Sequence, residues 1–105
     1  MKISIRGPIV SSNRHRLYQF YGMEATSPRS VADELAKGNG ERAEVEINSG
    51  GGEIFAASEI YTALRNYAGG VIVRIVGLAA SAASIIAMAL SLIHISEPTR
   101  LGMIS

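Results

Sequence analysis

Apolar and polar residues change their spacing several times along this chain, and each change predicts an element. Lys2-Ile3-Ser4-Ile5 alternates strictly, the period of a strand with one covered face. The charge around it and Gly7-Pro8 behind it predict an edge strand ending in a turn. Residues 9–21 have no clear period. Their polar centre, Asn13-Arg14-His15-Arg16, reads as a loop, and Leu17, Tyr18, Phe20 and Tyr21 read as aromatic and aliphatic side chains that pack on the sheet. Ser27-Pro28 is a helix start, a hydroxyl cap followed by a first-turn proline. Val31, Ala32, Leu35 and Ala36 share one face of that helix, which ends near Gly38-Asn39-Gly40. Ala43-Glu44-Val45-Glu46-Ile47 alternates again and runs into Asn48-Ser49-Gly50-Gly51-Gly52. From about Ile54 to Tyr67, Ile54, Ala57, Tyr61 and Leu64 recur at helical spacing, and Ala68-Gly69-Gly70 closes the helix. Val71 to Val76 is β-branched except at Arg74, as a buried strand should be. Ala82 to Ala89 contains no helix breaker. Strand, helix, strand, helix, strand, helix is the order of an α/β fold with right-handed crossovers and a mostly parallel sheet.

Two strand-end turns stand out within this frame. Gly77-Leu78-Ala79-Ala80-Ser81-Ala82-Ala83-Ser84 places a hydroxyl among very small residues where strand passes into helix. The free N–H groups and positive end of a helix stabilise an oxyanion there, and small neighbours let a substrate backbone approach. The bland alternative is a tightly packed helix start with Ser81 as its N-cap. The glycine triplet Gly50-Gly51-Gly52 lies about thirty residues earlier in the same layout of strand, small-residue turn and helix. On its own a Gly triplet is more often a turn than a site. In a parallel sheet, however, both turns fall at the carboxyl ends of neighbouring strands, where ligands collect in open α/β folds.

The run from Ile47 to Arg65, followed by Gly77 to Ala89, resembles the Clp protease proteolytic subunit family, and most closely the Clp-like head maturation proteases of tailed phages and prophages. The resemblance spans roughly Lys2 to Ala89. It implies a Clp/crotonase-like fold of repeated strand-helix units, here truncated, and a serine endopeptidase that processes capsid or scaffold protein. By position Ser81 matches the family's nucleophile. Gly52 matches the second glycine of its N-S-P-G-G loop, and Ala82 follows the nucleophile, so their N–H groups would form the oxyanion hole. Substrate would lie along the backbone of Ser49, Gly50 and Gly51. Gly50 stands where the family usually has proline, and Ala82 where methionine is common. The resemblance also implies a homo-oligomeric ring, a peptide or protein substrate, and no cofactor or metal.

A serine nucleophile needs a general base, normally a histidine oriented by a carboxylate. His15 lies in the polar stretch before the sheet core and reads as a solvated surface residue, and the Arg14/Arg16 pair beside it as ordinary solvated charge. His94 follows Ser81 by thirteen positions, too soon for the family's histidine. Asp33, the only aspartate, falls on the first predicted helix. No triad can be assembled from these residues, so the chain is expected to be inactive by itself.

Composition narrows the classes. With 105 residues the chain is one domain at most. A net charge of +1 without a dense basic run gives no sign of nucleic-acid binding. The absence of cysteine excludes disulfides and zinc thiolates, and the short, charged start does not resemble a secretion signal, so a bacterial cytoplasmic setting is expected. Ile75 to Ile93 carries no charge and is long enough for a membrane span, but its strand-like beginning, Gly77 and serines favour a buried helix in a soluble core.

The last residues change that count. Leu90 to Arg100 resembles the in-frame translation of a sequencing adapter, which divides the chain into 1–89, the amino-terminal part of a peptidase domain, and 90–105, a non-native tail. Two other classes stay open: a crotonase-like acyl-CoA enzyme, which uses paired backbone amides without needing a serine at 81, and a catalytically dead Clp-like assembly module. Independently obtained DNA is expected to leave this sequence after codon 89 and continue into a frame that contains a histidine and then an acid. Recovery of the same tail would refute the adapter reading.

Overall fold

The computed structural model describes residues 1–93; the expectations for His94 and for the rest of the tail lie outside them. The elements run β1 (Lys2–Arg6), α1 (Ser12–Phe20), α2 (Pro28–Ala36), β2 (Ala43–Ser49), α3 (Ile54–Arg65), β3 (Val71–Ala79) and α4 (Ala82–Ile93). The three strands form one parallel sheet in the order β1-β2-β3. This is the expected α/β architecture, with β1 at an edge.

Burial alternates along β1 and β2, so only one face of the sheet is covered. Ile3, Ile5, Val45 and Ile47 are fully buried on that face, beneath Val31 and Leu35 of α2, Ile60 and Leu64 of α3, and Ile86 and Leu90 of α4. The opposite face carries cross-strand charge: Lys2 to Glu46 at 3.4 Å and Arg74 to Glu44 at 3.2 Å. Partial exposure keeps such pairs weak, about 0–1 kcal/mol each, so apolar burial on the other face dominates the sheet's stability.

Several expectations are corrected. Residues 12–20 are helical, not a loop. Ser11 caps α1 by accepting the Arg14 N–H at 3.3 Å, and Asp33 consequently lies on the second helix. No residue of α1 is buried; Leu17, Phe20 and Tyr21 are exposed, and Phe20 and Tyr21 stack edge-to-face on each other instead of packing on the sheet. A single turn of local capping outweighs the missing apolar period here. On α2 the buried stripe is Val31 and Leu35, with Ala32 and Ala36 exposed. On α3 it is Ala56, Ala57, Ile60 and Leu64, leaving Ile54 exposed. Strand β3 is not buried throughout: Val71 and Val73 point into the core, whereas Val76 and Leu78 are exposed because the sheet has one open face and the strand bulges beyond Ile75.

The uncharged run from Ile75 is divided between β3 and α4, and among the described residues no helix is long and apolar enough to cross a membrane. Helix α4 passes through Ala89 without a break, and Leu90 is buried.

Ile47→Ala is expected to destabilise the protein by about 2–5 kcal/mol, since it empties a fully buried site on the central strand. Ile85→Ala on exposed surface should stay within about 0.5 kcal/mol. Urea unfolding of the two variants measures the difference.

Candidate active site

The ends of β2 and β3 lie side by side, and a bulge brings their following turns together. Ile47 pairs with Ile75, but Ser49 pairs with Ala79, so Val76, Gly77 and Leu78 stand opposite Asn48 alone. Asn48 makes good the broken ladder with its side chain, accepting the Leu78 N–H on Oδ1 at 2.9 Å. A methyl group on Gly77 would collide with that amide. Beyond the bulge the Ala80 N–H donates to the Ser49 carbonyl at 3.1 Å, which fixes the second turn against the first.

Ser81 occupies the junction of β3 and α4 with φ +53°. A non-glycine residue held there costs about 1–2 kcal/mol, so its surroundings must hold it. Its carbonyl accepts three donors: the Ser84 N–H at 3.1 Å, the Ile85 N–H at 3.3 Å and the Ser84 hydroxyl at 2.7 Å. The Ser84 N–H therefore goes to the Ser81 main chain, not to its Oγ, and the reading of Ser81 as an ordinary side-chain cap is not realised. The side chain is exposed, while Ala82 and Ala83 behind it are fully buried. Alanine suits these two positions because the helix start is pressed against the neighbouring turn.

The glycine turn is built to accept that pressure. Gly51 has φ +96°, and a methyl group there would lie 2.7 Å from the Ala80 carbonyl oxygen and the Ser81 Cβ and 2.9 Å from the Ala82 nitrogen. On Gly52 it would strike the carbonyl of Ile9. Ile9 comes from the loop after β1: its N–H donates to the Gly51 carbonyl at 3.0 Å, and its own carbonyl accepts the Glu53 N–H at 2.8 Å. Ser49 is buried; its hydroxyl donates to the Gly7 carbonyl at 2.6 Å and accepts the Gly51 N–H at 3.1 Å. Outside the turn, the Glu53 carboxylate accepts the Ser11 N–H at 3.2 Å and lies 3.7 Å from Arg14. The Ser11–Glu53 hydrogen bond ties the start of α1 to the glycine turn, while Arg14, largely exposed, adds only a weak surface pair and remains solvated charge as its sequence context suggests.

Ser81, Gly51, Gly52 and Ala82 thus belong to one small patch at the carboxyl ends of two parallel strands. Ser49 and Gly51 use their polar groups to brace the turn. The N–H groups of Gly52 and Ala82, by contrast, have no hydrogen-bond partner among the described residues. Gly52 is exposed, whereas Ala82 is fully buried with its nitrogen packed against Gly51, so the Ala82 amide must be uncovered before both donors and the exposed Ser81 hydroxyl can act on one carbonyl group. His15 is not part of this patch. It is partly buried between α1 and α2, with Nδ1 2.7 Å from Ser27 Oγ, which corrects its reading as a solvated residue. Asp33 lies on α2, beside the same recess as His15. The roles of Ile9, Asn48 and Glu53 have no signal in the sequence beyond their nearness to glycine-containing turns, because each acts through a contact with a distant segment.

Gly51→Ala is expected to cost more than about 1 kcal/mol, since no rotamer change removes a Cβ from backbone atoms. Gly50→Ala, whose new methyl group meets only Leu78 at 3.9 Å, should be neutral or stabilise by up to about 1 kcal/mol. Thermal unfolding distinguishes them.

The family model for Clp protease matches residues 33–98, which is more than half of the chain and includes both turns. No curated protein shows a significant match. With the matched segment holding the glycine turn, the bulged strand and the Ser81 junction in one parallel unit, this chain belongs to the Clp protease family.

Proposed function

We propose that the chain carries the nucleophile-bearing part of a serine endopeptidase, of the kind that trims capsid or scaffold protein during phage head maturation. Ser81 Oγ attacks the carbonyl carbon of a peptide bond. The carbonyl oxygen takes up the negative charge and is held by the N–H groups of Gly52 and Ala82. Collapse of the tetrahedral intermediate breaks the C–N bond, expels the amine and leaves an ester on Ser81, which water then hydrolyses. A histidine accepts the serine proton and passes it to the leaving amine. In this reading that histidine and its acid belong to natural sequence beyond Ala89, and the 105-residue chain by itself does not hydrolyse peptides.

The observation that carries the reading is the left-handed Ser81 turn seated on Gly51, with an unengaged amide on each side of the contact. Substrate backbone runs along Ser49, Gly50 and Gly51. Of these, Gly50 has no hydrogen bond to the rest of the protein among the described residues, so it offers its polar groups to a peptide. The full-length protein assembles as a homo-oligomeric ring in the bacterial cytoplasm and needs no cofactor for this chemistry.

A second reading has its own support. His15 is the one histidine among the described residues, and it is engaged with Ser27, not Ser81. A complete gene without a further histidine would make the protein a Clp-like assembly module with an idle nucleophile.

The test uses the protein encoded by the locus read through codon 89. A fluorophosphonate probe is expected to label it, and Ser81→Ala to abolish labelling and reduce peptide hydrolysis on the order of 10⁴-fold or more while the unfolding midpoint is kept. Labelling that survives Ser81→Ala overturns the peptidase reading. A well-folded full-length protein with neither labelling nor hydrolysis favours the assembly module.

A further inference from the structure

Helices α1 and α2 meet over a polar recess of about 300 Å³ that the proposed chemistry leaves unused. One wall of it is made by Ser12, His15 and Arg16 of α1, the other by Ser27 and by Arg29 and Asp33 of α2. Its floor is held by a connected set of hydrogen bonds. Ser27 is 1% exposed; its Oγ accepts the Ser30 N–H at 3.2 Å and lies 2.7 Å from His15 Nδ1. The Ser30 hydroxyl donates to the Ser27 carbonyl at 2.9 Å, so among the described bonds the Ser27 proton has the imidazole as its acceptor. A buried hydroxyl donates where it can. With Ser27 donating to Nδ1, the neutral ring carries its hydrogen on Nε2, an assignment that follows from the network.

The start of α2 does not itself supply the ligand donors. The Arg29 N–H is bonded to Ser12 Oγ at 3.3 Å, the Ser30 N–H to Ser27 Oγ, and the Val31 N–H to the Ser27 carbonyl at 3.1 Å. What remains is side-chain chemistry. Arg16 and Arg29 reach the recess from different helices, and neither is in an ion pair among the described residues, although Asp33 lines the same space. Two guanidinium groups against one carboxylate leave a local positive excess in a chain of net charge +1. Each guanidinium is a planar fork of donors that matches an oxyanion with several acceptor oxygens. Asp33 is an acceptor placed beside them, suited to a hydroxyl or ammonium group.

We infer that this recess binds a small phosphate monoester, with the phosphate on Arg16, Arg29 and His15 and a hydroxyl or amino group of its organic part on Asp33. The recess is small and its charge excess is local, which fits a compact ligand and not a polyanion. The site is independent of the peptidase reading, and Ser81→Ala should not alter it.

Titration of the ¹⁵N-labelled protein with inorganic phosphate and with glycerol 3-phosphate, at constant ionic strength, tests the proposal. Saturable shifts of the Ser12, Arg29 and Ser30 amides are expected at millimolar ligand, with the ester bound more tightly. Arg16→Gln and Arg29→Gln should each weaken binding on the order of tenfold, the loss expected for one charge-assisted hydrogen bond. Arg14→Gln should leave affinity unchanged, since Arg14 is paired with Glu53 at 3.7 Å and does not line the recess. Asp33→Asn should tighten inorganic phosphate and remove the preference for the ester. Retained amide dispersion shows that each variant is folded. Shifts that do not saturate, equal shifts with chloride, or an equal loss in Arg14→Gln would overturn the site, and an ester preference untouched by Asp33→Asn would overturn the monoester assignment.

Discussion

The contact between Gly51 and the Ser81 turn is the constraint on which the rest of this arrangement depends. Two strand ends in a parallel sheet are held only about 4.8 Å apart, so their following turns compete for the same space. Removing the side chain at 51 and keeping 82 and 83 as alanine resolves that competition, and the turns close on each other. The bulge in β3 is the counterpart: it feeds two extra residues into the strand, so that the Ala80 N–H reaches the Ser49 carbonyl. Ser81 is then held in a left-handed conformation by three donors on its carbonyl. The cost of that backbone state is offset locally, which leaves the hydroxyl free of structural duty.

The loop after β1 supplies a second clamp. Ile9 bonds to both sides of Gly52, and Ser49 reaches across to Gly7. Ser11 and Glu53 tie the start of α1 to the same turn. The glycine turn is therefore fastened from the edge strand and pressed from β3, so the Gly52 N–H has a defined position without a hydrogen bond of its own. Membership of the Clp protease family accounts for the two turns occurring together. The packing explains why each residue type is needed in them.

Legibility from the sequence followed how local each cause was. Alternation at Ile3 and Ile5 and at Val45 and Ile47 reports a covered face residue by residue, and burial in β1 and β2 follows it. Ser27-Pro28 is a self-contained start signal and formed as read, with a capping box. Residues 12–20 show no helical period because their helix is set by a cap at Ser11 and by partial contacts such as His15 with Ser27, while none of its residues is fully buried. The upper half of β3 is exposed despite its apolar residues, because β-branched composition does not say whether a helix lies above that part of the sheet.

By itself, the sequence determined the element types for most of the chain, the parallel α/β class, the small-residue composition of both turns and Ser81 as the hydroxyl between strand and helix. Those features rest on periodicity, side-chain volume and backbone freedom, which neighbours along the chain already specify. Tertiary structure decided the bulge opposite Asn48, the left-handed state of Ser81, the bracing roles of Ile9, Ser49 and Glu53, and the pairing of His15 with Ser27. Each of these depends on a hydrogen bond or close contact between segments far apart in sequence, and such a contact exists only once the sheet has brought the segments together.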